Sequence, residues 1–194
     1  MPFYFGAEDF VFAILHVKLP PKLLYHGPAH TKDVLAAAER LAALEGVHGD
    51  DLLLLKTGAL YHDIGYVVRY HFNEPDSVAL AQRTLPSFGY TEKQIDVISR
   101  IILATQFPHT PKTNLEEIMC DADLDNLGRE DFYEKSELLR RELGAQGVAK
   151  SPRQWYEGLL PFLEQHRYFT QAARQLRQER KEQYMREIKE LLGA

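Results

Sequence analysis

Residues 52–65 read Leu-Leu-Leu-Leu-Lys-Thr-Gly-Ala-Leu-Tyr-His-Asp-Ile-Gly. The apolar run Leu52 to Leu55 is far too short to span a bilayer, so it is the inside of a soluble helix. That helix starts near Asp50 and runs to Asp63, with Gly65 as its stop. It therefore ends on an adjacent His62-Asp63 pair, a polar couple at the end of a core element.

The same helical reading extends outward in both directions. Upstream, Gly27-Pro28 opens a helix continued on one face by Val34, Leu35, Ala38, Leu41 and Leu44. Before it, Phe10, Val11, Ile14 and Leu15 suit a first helix, ended by Pro20-Pro21. Downstream, helices start near Glu74, Thr91, Thr113 and Arg129, and Ser151-Pro152 is a cap followed by proline. A last helix spans roughly Thr170 to Leu192. No alternating strand pattern of useful length occurs, and no repeat or low-complexity stretch. The expected fold is all-α: a helical core over 1–145 and C-terminal helices over 146–194 packed on it, with a loop at 144–150 between them.

The 194 residues carry a formal net charge of -5, which argues against a nucleic-acid binder or a binder of anionic membranes. An anionic substrate then needs a local positive centre, and a bound metal supplies one. Cys120 is the single cysteine, so no disulfide forms within one chain, and a small buried apolar role suits it. The N-terminal MPFYFGAEDF has no basic segment and contains Glu8 and Asp9, so it does not read as a signal peptide. A cytoplasmic protein is expected.

Three segments concentrate chemistry. Residues 25–34, YHGPAHTKDV, place His26 and His30 at a helix start. Residues 61–66, YHDIGY, hold the His-Asp pair. Residues 121–128, DADLDNLG, set Asp121 and Asp123 in what reads as an otherwise apolar helix start. Mixed imidazole and carboxylate donors suit a borderline divalent ion such as Mn, Fe, Ni, Co or Zn. Four ligands drawn from separate helices leave coordination positions open to water and substrate.

These segments resemble the signatures of the HD superfamily, and the closest group is its predicted metal-dependent phosphohydrolases. Further matching pieces are Asn73-Glu74 with Ser77, Ala104-Thr105 with His109, and Leu127-Gly128 after the aspartates. The resemblance covers about residues 24–128. It implies an HD-domain helical bundle and a metal held by His30, His62, Asp63 and Asp123. The distal ligand is either Asp121 or Asp123; Asp123 is chosen because it directly precedes Leu124, and Asp121 then orients a ligand histidine. His26 matches a general acid that would protonate a leaving group, or else it packs behind the site. Glu74 would orient the attacking water, or else cap its helix. The catalytic set is thus His26, Glu74 and Asp63. His71, His109 and Asp121 are candidates for substrate contact or a second metal. Arg69 and Lys112 lie near the motifs and would grip phosphate or stay solvated. One departure stands out: Gly27-Pro28 fills a stretch where many members carry Asn, which leaves substrate choice open.

The last helix has a narrow apolar stripe of Leu176, Tyr184, Ile188, Leu191 and Leu192 on a charged background. It packs on its own domain, or on a second copy to give a homodimer. The expected activity is hydrolysis of a small phosphate ester or nucleotide by metal-activated water, with no nucleic-acid or membrane partner. The alternatives are a di-iron oxygenase, which needs His71 and His109 as ligands, and a non-catalytic metal-stabilised module that binds a ligand.

Overall fold

In the computed structural model, which describes residues 2–193, nine α-helices and three short 3-10 turns make up the fold, with no strand among the described residues. α1 (Tyr4–Lys18) buries Tyr4, Ala7, Val11 and Leu15, which recur every three or four residues. α2 (Pro28–Leu44) opens on Pro28, where an amide hydrogen has no helical partner to lose. α3 (Gly49–Tyr61) contains the Leu52–Leu55 run. α4 (Glu74–Thr84), α5 (Glu92–Leu103), α6 (Asn114–Asp123), α7 (Phe132–Ala145), α8 (Pro152–Gln165) and α9 (Gln171–Leu192) follow. Capping boxes start α5 (Thr91 with Gln94) and α8 (Ser151 with Gln154). The hydroxyls of Thr113 and Thr170 cap α6 and α9.

Two local expectations are corrected. The third helix ends at Tyr61, so His62 and Asp63 lead into a 3-10 turn over Ile64–Val67. Gly65 is no left-handed stop; it lies within that turn because the start of α4 presses on it. A Cβ there would sit 2.1 Å from the Asn73 carbonyl oxygen. Asp121 and Asp123 lie in the last turn of α6 rather than at a helix start, because Thr113 caps that helix earlier in the chain.

One apolar cluster joins α1, α2, α3, α5 and α6, with Leu41, Leu55, Ile98 and Ile118 fully enclosed, and it reaches Ala172 and Ala173 of α9. Each such side chain contributes roughly 2 kcal/mol through burial. A second cluster of Leu127, Phe132, Leu163, Tyr184 and Ile188 ties α7 and the turn before it to α8 and α9. This second cluster spans the expected division at residue 145. The α9 stripe is also corrected. Tyr184 and Ile188 are buried, but Leu176 and Leu191 are 41% and 65% exposed. The buried face instead takes Ala173 and Lys181, which lie near the helical phase of Tyr184, while Ala172 is buried off that face in the first turn. α9 closes tightly over the 3-10 turn Asp125–Gly128: a Cβ on Gly128 would lie 2.3 Å from the Arg177 carbonyl oxygen.

α2, α3 and α6 pack on one another in all three pairings. That arrangement brings the first turn of α2 against the ends of α3 and α6.

Candidate metal centre

The side chains of His30, His62, Asp63 and Asp123 converge where those three helices meet. His30 Nε2 lies 3.1 Å from Asp123 Oδ1, 3.4 Å from Asp63 Oδ2 and 3.3 Å from His62 Nε2. His62 Nε2 lies 3.1 Å from Asp63 Oδ2 and 3.5 Å from Asp123 Oδ1. One donor atom each from His30, His62 and Asp123 falls within 4.8 Å of the others, a spacing that fits a single ion. Both histidines are buried.

The polarity of the cluster suits a cation. His62 Nδ1 donates to the Ala59 carbonyl at 2.7 Å, which leaves the Nε2 lone pair directed into the cluster. Asp63 Oδ2 is buried there without a hydrogen-bond partner. An orphaned carboxylate oxygen facing imidazole lone pairs is costly unless something positive sits between them. The electrostatics agree. Burial opposes a charge on His62, but Asp63 and Asp123 outweigh it and hold its pKa well above the ordinary value. Burial likewise opposes the Asp123 and Asp63 charges, yet His30 and His62 hold Asp123 well below the carboxylate range, and His62 lowers Asp63. Two oxygens and two nitrogens of this kind fit a borderline divalent ion.

Beside the cluster, His26 is fixed from behind by a residue with no counterpart in the sequence reading. Its Nδ1 hydrogen-bonds Glu142 of α7. The other Glu142 oxygen accepts the amides of Tyr25 and His26 at 2.7 and 3.1 Å, and the Tyr70 hydroxyl donates to Oε1 at 3.1 Å. The imidazole stacks on Tyr66 at 4.4 Å. Burial alone would lower the His26 pKa, and Glu142 reverses that to a net rise. Glu142 lies 116 residues from His26 and is fully buried. Its local sequence, Arg-Arg-Glu-Leu-Gly, gives no sign of it.

His26, Asp63 and Asp123 open into a pocket of about 250 Å3, which Glu74 and His109 also line. Glu74 lies in the first turn of α4, where a carboxylate also suits the helix dipole, and its Oε2 is buried without a partner. Asn73 lines the pocket and accepts the Ser77 hydroxyl at 3.3 Å, and that hydroxyl accepts the Gly65 amide at 2.8 Å and so pins the turn that follows Asp63. No lysine or arginine lines this pocket. Arg69 pairs with Asp76, and Lys112 is exposed away from it.

Two further candidates lie elsewhere. His71 is exposed, packs on Tyr70 and is not part of the pocket, so it and His109 do not assemble a second metal site. Asp121 turns away from the histidines. Its oxygens accept the amides of Phe169 and Thr170 at 2.9 and 2.8 Å and the Thr170 hydroxyl at 2.7 Å, which anchors the start of α9. Burial raises its pKa to about 6, against those hydrogen bonds. The expected orienting contact to a ligand histidine is therefore absent, because α9 takes both oxygens.

A family model described as HD domain matches residues 29–125, half of the chain. Among curated proteins, no sequence match was found. Similar solved structures include Bacillus subtilis YpgQ in complex with ADP (TM-score 0.67, 21% identity, covering 96% of this chain and 95% of that one). Another is a predicted HD superfamily hydrolase from an uncultured Thermotogales bacterium (TM-score 0.66, 19% identity, covering 99% and 92%). At these identities the likeness concerns the fold. Among the described residues, no helix is long and apolar enough to cross a membrane.

Proposed function

Because this chain belongs to the HD-domain superfamily, we propose that it is a metal-dependent phosphohydrolase acting on a small phosphate ester or nucleotide. The observation that carries this reading is the convergence of His30, His62, Asp63 and Asp123 on one point at the floor of a pocket. These four would hold a divalent transition metal, which when bound lowers the pKa of its water and offsets charge on a phosphoryl group.

The chain's own residues supply the rest. Asp63, Asp123 and Glu74 make the pocket negative, and no lysine or arginine offsets them. A phosphate therefore binds only where a metal reverses the local charge. Glu74, with its unpaired buried oxygen, orients the attacking water and takes its proton. His26, kept protonated by Glu142, delivers a proton to the leaving oxygen. His109 on the pocket wall contacts the phosphate. The ADP bound to the similarly folded YpgQ supports a nucleotide as the substrate class.

The test is metal content beside turnover. Purified protein should carry about one transition metal per chain, lost together with phosphatase activity in Asp63→Ala. Full turnover by metal-free protein would sink the proposal. A metal that stabilises the fold while no phosphate ester is hydrolysed would assign a non-catalytic role instead.

A further inference from the structure

A second cavity, of about 230 Å3, adjoins the metal pocket and shares two walls with it, Leu124 and Phe162. Tyr25 lines it on the metal side, with its ring 4.8 Å from those of both His26 and His30, and Leu124 and Phe162 mark where the two cavities meet. The far walls are Trp155 and Leu159 of α8 and Phe132 of α7. Each cavity alone is smaller than the roughly 300–1,000 Å3 of small-molecule sites, and the two together fall within that range.

The polar groups of this chamber are donors. The Lys150 ammonium sits 5.9 Å over the Trp155 ring and makes no ion pair among the described residues. Lys135, by contrast, is neutralised by Asp33 at 2.6 Å. The Asn126 carbonyl already accepts from the Tyr25 hydroxyl at 3.4 Å, which leaves its amide hydrogens unpaired inside the protein. Flat apolar walls with two free donors match a planar heteroaromatic group that carries acceptor atoms.

We propose that this chamber receives the base of a nucleotide whose phosphates lie at the metal centre. The proposal rests on the phosphohydrolase reading for the phosphate end only. The chamber itself can be probed without any hydrolysis, because Trp155 is the single tryptophan of the chain and lies in its wall.

The experiment is a fluorescence titration of purified protein with the four ribonucleosides, which carry no phosphate. At least one nucleoside should change Trp155 emission saturably. Gly158 lines the chamber, and a Cβ there meets only the Lys150 ammonium, at 3.4 Å. Gly158→Leu therefore fills the space on a helix that leucine favours, and the response should weaken about tenfold or more. Lys150→Met, at a partly exposed position that carries no fold, should weaken it about fivefold, the size of one lost hydrogen bond. Unchanged Trp155 emission with all four nucleosides would overturn the proposal. So would an equal response in both variants. If wild-type protein responds to a nucleoside yet hydrolyses no phosphate ester, the chamber stands and the phosphohydrolase reading falls.

Discussion

Asp123 and Asp125 flank Leu124, and the buried charge clusters they belong to are finished in opposite ways. Asp125 is closed. Arg177 donates to its two oxygens at 2.7 and 3.1 Å, and Arg40 adds a third contact at 2.8 Å. Asp123 faces His30 and His62 beside an Asp63 oxygen whose near neighbours are those two imidazole nitrogens and which makes no hydrogen bond. Both clusters join the end of α6 to other helices. Where the chain needs only a joint, each acceptor meets a donor. Where acceptors converge without donors, the cluster suits the cation proposed for it.

The sharpest way to break this contrast is to neutralise one aspartate on each side. Asp63→Asn should remove the bound metal and lower turnover by about a thousandfold or more. The metal-free fold should lose stability too, though modestly, because without the Asp63 charge His62 keeps only Asp123 to sustain its raised proton affinity. Asp125→Asn should keep the metal but cost about 3 kcal/mol, since it strands two guanidinium groups. Metal analysis and urea denaturation on both variants check this. If Asp125→Asn empties the site as completely as Asp63→Asn, the two clusters are one unit and the distinction fails.

A smaller effect is expected at Glu142, whose contact with His26 is closed on one side and functional on the other. Glu142→Gln keeps an acceptor for the Tyr25 and His26 amides but removes the charge behind the imidazole. Turnover should fall roughly 10- to 100-fold with metal content intact. Glu142→Gln and His26→Gln should be strongly non-additive, because both remove one proton donor. Fully additive losses would show that Glu142 acts elsewhere.

Much of this was legible beforehand, and what was not has a physical reason. The helix starts at Pro28, Thr91, Ser151 and Thr170 were readable because caps and proline act over three or four residues. The grouping of His30, His62, Asp63 and Asp123 was legible only through the resemblance of three segments to the HD-superfamily signatures; imidazole and carboxylate types alone leave the partners open. Glu142 was not, since its partners lie more than a hundred residues away and a glutamate on a charged helix looks solvated. The task of Asp121 was hidden for the same reason: its partners, Phe169 and Thr170, are set by how α9 docks. Lys181 in α9 looked like another surface charge, although it is 1% exposed.

Lys181 offers the mildest test, because its cluster is closed like that of Asp125 yet contains no carboxylate. Its ammonium donates to the carbonyls of His166 and Leu163 at 2.8 and 3.4 Å and meets His166 Nδ1 at 3.2 Å. That last contact requires a neutral imidazole. Burial, reinforced by the Lys181 charge, lowers the His166 pKa from 6.5 to about 3. The folded state thus refuses a proton that the unfolded chain accepts below 6.5. The stabilising effect of a neutral His166 is therefore complete above that pH and lost as pH falls toward 3. Near pH 4 the loss should be roughly 2–3 kcal/mol, allowing for partial solvent access. His166→Asn keeps an acceptor for Lys181 but has no proton to bind. In metal-free protein, the stability gap between wild type and this variant should shift in the variant's favour between pH 7 and pH 4.5. Subtracting one curve from the other cancels the acid titration of the metal-site carboxylates. A gap that stays constant over that interval would mean His166 is protonated in the fold and Lys181 is held by the carbonyls alone.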